Sequence, residues 1–370
     1  MAWAEKYASS AGAGDNNGTS EAHAWDLATA IANAAAGDRV NFKGNCTTGG
    51  AVTFNNANGT TLLPIWWRAY VTNIGDLDGT TTCVTFTCET NLVTFSGTYQ
   101  IFTNFKFTST RTAGGGVTIG TNHSQYFDHC QFINTGANAN SYCCNVGVAA
   151  VLTRCYFSAA VNATNAVTGS GGGSLFGCVL TGGGTNTLNT SGTFIVMFSI
   201  FFAGNIGILH ASTSGGMYMF NTFYSITADC IKITTVPGVT SVRMIMGNIF
   251  ANAVYGINQA SGADTANVPR FHNMSYALST GMETGFADFP SFGNVAEATD
   301  PFVSTTSSNA DFLKLVTGCA GKAVGFPGLF ENLATQTYTD IGALQRQEAV
   351  SGNVKTIQGV SVSGIDAIGA

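Results

Sequence analysis

Ionisable residues are scarce in this 370-residue chain, so each that could perform chemistry can be weighed singly. Cleavage of a polymer by acid–base chemistry needs two carboxylates close together, or a basic residue beside cation-binding acids. Between Asn91 and Leu278 the only acids are Asp128, Asp229 and Asp264. His123, Asp128 and His129 form the one ionisable cluster there, without an evident third partner, so Asp128 reads as a hydrogen-bonded structural residue. Asp76-Leu77-Asp78-Gly79 begins like a calcium loop but lacks the later acidic ligand, and reads as a turn. Trp66-Trp67-Arg68-Ala69-Tyr70 could stack on sugar rings. Adjacent residues of a strand point to opposite faces, so at most one Trp is available and packing is the simpler reading. Gly321-Lys322 is not a phosphate loop, because Val316 stands where the first Gly belongs. The glycine runs 114–116, 171–173 and 182–184 lack a following helix start and read as turns. These residues assign no catalytic, metal-binding or cofactor-binding position.

The elements that would carry such residues are set by a repeat of roughly 24 residues, within the solenoid range. Tyr126–Phe132, Val151–Phe157, Ser174–Leu180, Val196–Phe201, Tyr218–Phe223 and Ile245–Phe250 are short β-rich runs between Gly, Asn, Ser and Thr turns. Aligning them gives three ladders. One is Asp128, Thr153, Phe176, Met197, Met219, Met246 and Phe271. The second is Cys130, Cys155, Cys178, Ser199, Asn221, Asn248 and Asn273. The third is Phe107, Phe132, Phe157, Leu180, Phe201, Phe223 and Phe250. Like residues stacked on like are what in-register parallel coils require. The expected fold is an all-β, right-handed parallel β-helix of about ten coils, each rising about 4.8 Å, with three strands to the coil.

If each run is one strand, its second face is apolar too. That face holds Leu152, Leu175, Val196, Tyr218 and Ile245, with Phe198, Ile200, Phe220 and Ile249 beside them. One apolar face lines the interior; the other needs a cover, which is the signature of an interface. The expectation is a homo-oligomer, a trimer packed along the sides of the helix.

Composition narrows the remaining classes. Charged residues are 9% and net charge is −6, which excludes a basic nucleic-acid footprint. No apolar run approaches the roughly 20 residues of a membrane span. The start, Met1-Ala2-Trp3-Ala4-Glu5-Lys6-Tyr7, lacks the basic and apolar stretches of a signal peptide. Of the ten cysteines, Cys130, Cys155 and Cys178 fall in one ladder and read as small buried hydrophobes.

Ala24 to Ala36 carries a one-sided apolar pattern ended by Gly37, as a capping helix would. The expected organisation is an N-terminal segment with that helix over 1–44, the β-helix over 45–280, a C-terminal cap over 281–345 and a tail or arm over 346–370. Two stretches carry a family resemblance. Gly14-Asp15-Asn16-Asn17-Gly18-Thr19 with Ala24-Trp25 and Gly37-Asp38-Arg39-Val40 resembles the opening motif of the pectate-lyase-like β-helix superfamily in its phage and environmental-bacterial branch. Asp300-Pro301-Phe302-Val303, Asp311–Leu315 and Thr339–Ala343 resemble its closing motif. Such motifs specify the fold and leave the function open. The branch, the sparse acids and the apolar face together lead to the expectation of a non-catalytic structural virion protein. It would be a capsid-decorating or spike protein, assembled in a host cytoplasm and contacting other virion proteins. The alternative is a secreted or surface protein that binds or cleaves a glycan.

Overall fold

The corner residues decide which side chains face inward. In the computed structural model, Asn104, His129, Arg154, Gly177, Phe198, Phe220, Gly247 and His272 all have φ between 49° and 66°, in the left-handed region. Each separates two strands that the repeat pattern joins into one. The chain is described apart from residues 1–2, 56–58, 73–83, 89–91, 121–123, 137, 139–140, 161, 236–240, 261–267, 287–290, 292, 322–341, 345–355, 358–359 and 362–370.

A representative coil runs through strands Gln125–Asp128, Gln131–Asn134 and Ser141–Val146 before the next begins at Ala150–Thr153. Corresponding strands of successive coils pair in parallel. They form three long sheets of 11, 11 and 10 strands, here sheets A, B and C in the order the coil visits them. The architecture is the expected right-handed parallel β-helix, with little helix. The register of the expected ladders is reproduced: Asp128 pairs with Thr153, Thr153 with Phe176, and Met219 with Met246.

Their facing differs from the expectation. A residue with positive φ at the corner resets the alternation. Phe127 on one side of His129 and Cys130 on the other both point inward, whereas Asp128 points out. Leu152, Leu175, Val196, Tyr218 and Ile245, expected on an outer interface, are fully buried in the solenoid interior. The Asp128-to-Phe271 ladder is the outward one. Ile200 and Ile249 do face outward from sheet B, but residues of this same chain cover them. Phe302, Leu313, Leu315, Cys319 and Ala343 pack over sheet B in one cluster with Met274, and Phe312 and Phe302 set their rings edge-on to Phe202 and Tyr224. Of the expected interface set, Phe198 is the exposed member at 38%, with Phe220 stacked against it at 5.3 Å.

Inside, Phe107, Phe132 and Phe157 stack at 5.5 and 5.0 Å, and Phe201, Phe223 and Phe250 at 4.8 and 5.4 Å. Cys130, Cys155 and Cys178 are buried free thiols, each donating to a carbonyl of the preceding coil (Phe102, Phe127 and Leu152). Asn221, Asn248 and Asn273 use their amides on the equivalent carbonyls of Val196, Tyr218 and Ile245 at 2.9, 2.8 and 3.2 Å. The Cys and Asn members thus share one task, satisfying buried carbonyls at the A–B corner, and the Asn members also accept from the backbone N–H of the rung before. It continues to Asn294, which accepts from the Asn273 backbone at 2.8 Å.

The ends also depart from expectation. The helix is Leu27–Asn33, shorter than Ala24–Ala36, because Asp26 caps it by accepting from the Thr29 backbone at 2.7 Å and Trp25 bridges to Ala8. Gly281–Thr284 and Val295–Glu297 are further rungs of sheets C and B, so coils extend beyond 280.

Candidate functional site

The expected cluster around Asp128 comes together with a different partner set. One carboxylate oxygen accepts from Thr153 Oγ1 and Arg154 Nε at 2.5 and 2.9 Å. The other accepts from Arg154 Nη2 at 2.6 Å and meets His129 Nδ1 at 3.0 Å. Burial acts to raise the Asp128 pKa, but bonds from Thr153, Arg154 and His129 outweigh it and hold the carboxyl below its ordinary value. With both oxygens engaged, it ties two coils together and is poorly placed for proton transfer. His123, Asp76–Gly79, Asp264 and Lys322 lie outside the described residues. Trp67 is buried inside. Trp66 faces out, with the guanidiniums of Arg39 and Arg68 at 5.3 and 5.5 Å from its ring and Trp3 edge-on at 5.6 Å.

Two cavities open at the N-terminal end. A groove of about 570 Å³ lies between the helix and residues 46–53. A smaller one of about 270 Å³ is lined by Tyr7, Glu21, Lys43 and Tyr70. There Glu21 accepts from Tyr70 Oη at 2.7 Å and pairs with Lys43, and those bonds hold its carboxyl low. Burial, then Glu21, pushes the Tyr70 phenol up, so it stays a proton donor. Deeper, where sheets C and A meet, His210 is fully buried. Its Nε2 lies 3.0 Å from the Ser214 carbonyl, to which it can only donate, so Nδ1 accepts from Tyr218 Oη. Burial first, and Arg243 second, push His210 down to about 3, so it is a neutral structural imidazole.

The outer face of sheet C is the surface that pattern reading missed. Strand alternation and register put one outward residue of each coil in a single column: Thr53, Thr94, Thr118, Asn145, Thr168 and Asn189, then Leu209, Lys232, Asn258 and Thr284. Each is at least partly solvent-accessible. At one strand spacing per rung the column is about 43 Å long. Rungs couple laterally where geometry permits, as Thr168 Oγ1 donates to Asn145 Oδ1 at 3.2 Å. Near its end stands a charged knot: Asp229 Oδ2 accepts from Asn258 Nδ2 at 3.2 Å and lies 3.6 Å from Lys232 Nζ. Tyr255 is the register neighbour of Asp229. Tyr142 lies across Gly115 of the adjacent coil, so closely that a Cβ there would stand 2.1 Å from its ring. Threonine and asparagine had been read as turn residues, and only the register reveals them as a ladder. Among the described residues no three His, Cys, Asp or Glu gather as a metal-binding group.

Chemically, this face offers regularly spaced hydroxyls and amides, one ammonium beside a carboxylate, and tyrosines at its margins. Such an arrangement has the hydrogen-bonding groups to meet a polar polymer. Neither a family model nor a curated protein matches the sequence. Solved structures do match the fold. The crystal structure of pectate lyase Pel9A superposes with a TM-score of 0.72 at 14% identity, covering 94% of this chain and 97% of that one. A rhamnogalacturonan lyase superposes with a TM-score of 0.52 at 12% identity, covering 85% of this chain and 96% of that one. The likeness is one of fold: this chain and both of those structures are parallel β-helices.

Proposed function

We propose that the protein binds an extended polysaccharide along the outer face of sheet C, with Lys232 as the anchor for an acidic sugar. The carrying observation is the ten-rung column from Thr53 to Thr284, in which eight rungs are Thr or Asn at the strand spacing, interrupted by Leu209 and Lys232. A glycan presents its own hydroxyls at a short, regular repeat, so one-dimensional order on the protein is matched by one-dimensional order on the ligand. The solved structures of similar fold are named for enzymes acting on pectate and rhamnogalacturonan, which supports a polysaccharide as the ligand class. The reading is one of binding. Lytic cleavage of a uronate needs a base and a separate group to hold the developing negative charge, and the knot at Asp229 presents a single cation. This replaces the virion-structural expectation, whose outer interface residues at 152, 175, 196, 218 and 245 are interior.

A net charge of −6 works against long-range attraction of a polyanion. Hydrogen bonds and one ammonium must then supply the affinity, so salt dependence should be shallow. The test is calorimetric titration with polygalacturonate and with a neutral glucan. Lys232→Met should weaken polygalacturonate binding by about tenfold, the worth of one charge-assisted hydrogen bond. It should leave neutral-glucan binding unchanged. No binding to either polymer, or equal affinity of wild type and Lys232→Met for polygalacturonate, would refute the reading.

A further inference from the structure

Each outer face of the solenoid can be asked what covers it. Sheet C presents mostly polar residues to water, and the C-terminal rungs of sheet B lie under Phe302, Leu313, Leu315, Cys319 and Ala343. Sheet A changes character along its length. Its N-terminal coils present Glu5, Arg39, Arg68 and Asp128, whereas its C-terminal coils present methionine. Met197, Met219 and Met246 stack in one outward column and Met217 and Met244 in the next, five of the eight methionines in the chain. Phe220 joins Met219 and Met246 in an apolar cluster separate from the solenoid core, and Phe198, 38% exposed, stacks upon it. Methionine is the side chain suited to an adaptable apolar contact.

We propose that this methionine face is the docking surface for the chain's own C-terminal segment, residues 345–370. Three observations select that occupant. The first is position: the Gly342 backbone donates to the Gly247 carbonyl at 2.7 Å, one residue beyond Met246, and Ala343 donates to Thr222 Oγ1 at 3.0 Å, so residues 342–344 lie at the A–B corner that borders the face, and the segment starts there. The second is size. From Phe176 to Phe271 the column has four register steps, about 19 Å, and two outward positions plus a corner ring are about 12 Å wide. The resulting footprint of about 230 Å² is far below the roughly 800 Å² per partner of a stable complex, which argues against a second copy. It matches the footprint of a two-stranded hairpin with about seven residues a strand. The third is composition. The 26 residues after Leu344 carry Val350, Val354, Ile357, Val360, Val362 and Ile365, and Thr356–Ile357 pairs antiparallel with Val360–Ser361.

Methionine oxidation by hydrogen peroxide, followed by peptide mass spectrometry, reads the cover directly. In the full chain Met217 and Met244 should oxidise nearly as slowly as Met274, which is buried beneath the cover of sheet B. In the full-length double variant Ile357→Asp/Val360→Asp, Met217 and Met244 should oxidise several-fold faster while Met274 is unchanged. Equal rates in the two proteins overturn the proposal, as does protection that falls on dilution, which would assign the face to a second copy. Should Met274 also become reactive, the variant has lost its fold. A photo-reactive residue at position 357 of the otherwise unaltered chain then decides. Intrachain cross-links to the peptides containing Met217 or Met244 support the proposal, and cross-links elsewhere or only between chains overturn it.

Discussion

Replacing Asn248 by Ala isolates what holds the coils in register. Asn248 Nδ2 donates to the Tyr218 carbonyl at 2.8 Å and to Asn273 Oδ1 at 3.1 Å. Its Oδ1 accepts from the Asn221 backbone at 3.0 Å and from Asn221 Nδ2 at 3.1 Å. Every group involved is fully buried, so no water replaces the amide. Four bonds at about 1–1.5 kcal/mol each give a loss of about 4–6 kcal/mol, and the stranded Asn221 N–H lies within that range. Asn294, at the open end of the column, bonds only Asn273 from this ladder and is partly solvated, so Asn294→Ala should cost about 1 kcal/mol. Urea denaturation measures the difference, and hydrogen exchange at the Asn221 amide localises it. Solenoids can unfold coil by coil, so the exchange measurement matters as much as the midpoint. If Asn248→Ala costs no more than Asn294→Ala, or the Asn221 amide stays protected, the column does not set the register.

Three further outcomes follow from particular residues. His210 is pushed down to about 3 in the fold against about 6.5 unfolded, so its stabilisation is complete above the unfolded value and is lost as pH falls towards the folded one. This should cost about 3 kcal/mol between about pH 7 and pH 4; carboxylates act in the same direction, so the comparison is with His210→Gln, whose stability should fall less over that range. Leu175→Asp places a carboxylate in the dry interior and should abolish folding, whereas Phe198→Asp should cost about 1 kcal/mol, mainly its stacking on Phe220; circular dichroism with urea separates the two. Gly115→Ala should displace the Tyr142 ring, seen as a changed near-ultraviolet tyrosine signal, with the coil fold retained in the far ultraviolet.

The register of the fold was legible because identical residues recur where coils stack. Phe132 over Phe107 and Asn248 over Asn221 announce their own alignment. The facing was not, and the cause is local. A single left-handed residue turns the A–B corner, a conformation that favours glycine or asparagine. Here it is held by His129, Arg154, Phe198 and Phe220 as well as Gly177 and Gly247. Without a glycine signal, alternation was counted straight through the corner, which carried Leu175 and its neighbours to the wrong side. The tryptophan pair, of which at most one was expected outside, does split between faces, Trp67 in and Trp66 out, because both stand within one uninterrupted strand, Ile65–Tyr70. The candidate site stayed hidden for a different reason: polar outward rungs and turns have the same composition, and only pairing distinguishes them.

A solenoid has no cleft by default, so function must be sought in how its outer faces differ. Sheet B uses the outer face of its C-terminal rungs for internal packing, since the outward Ile249 and Met274 are sealed by residues of the same chain. The methionine end of sheet A is apolar and small beside a usual protein interface, which is why we propose that the chain's own C-terminal segment covers it. Its charged end is internally neutralised: Asp128 is saturated by Arg154, Thr153 and His129, and Glu5 by Arg39 and Asn41. The long face of sheet C is different. Its threonines and asparagines are solvated, in register over about 43 Å, and joined by a lysine that one buried carboxylate fixes in place. A surface whose order runs in one dimension selects for a ligand whose order does too. That argument is why sheet C is the face we propose for a polymer, with the charge at Lys232 as the point where the proposal expects one sugar to be told from another.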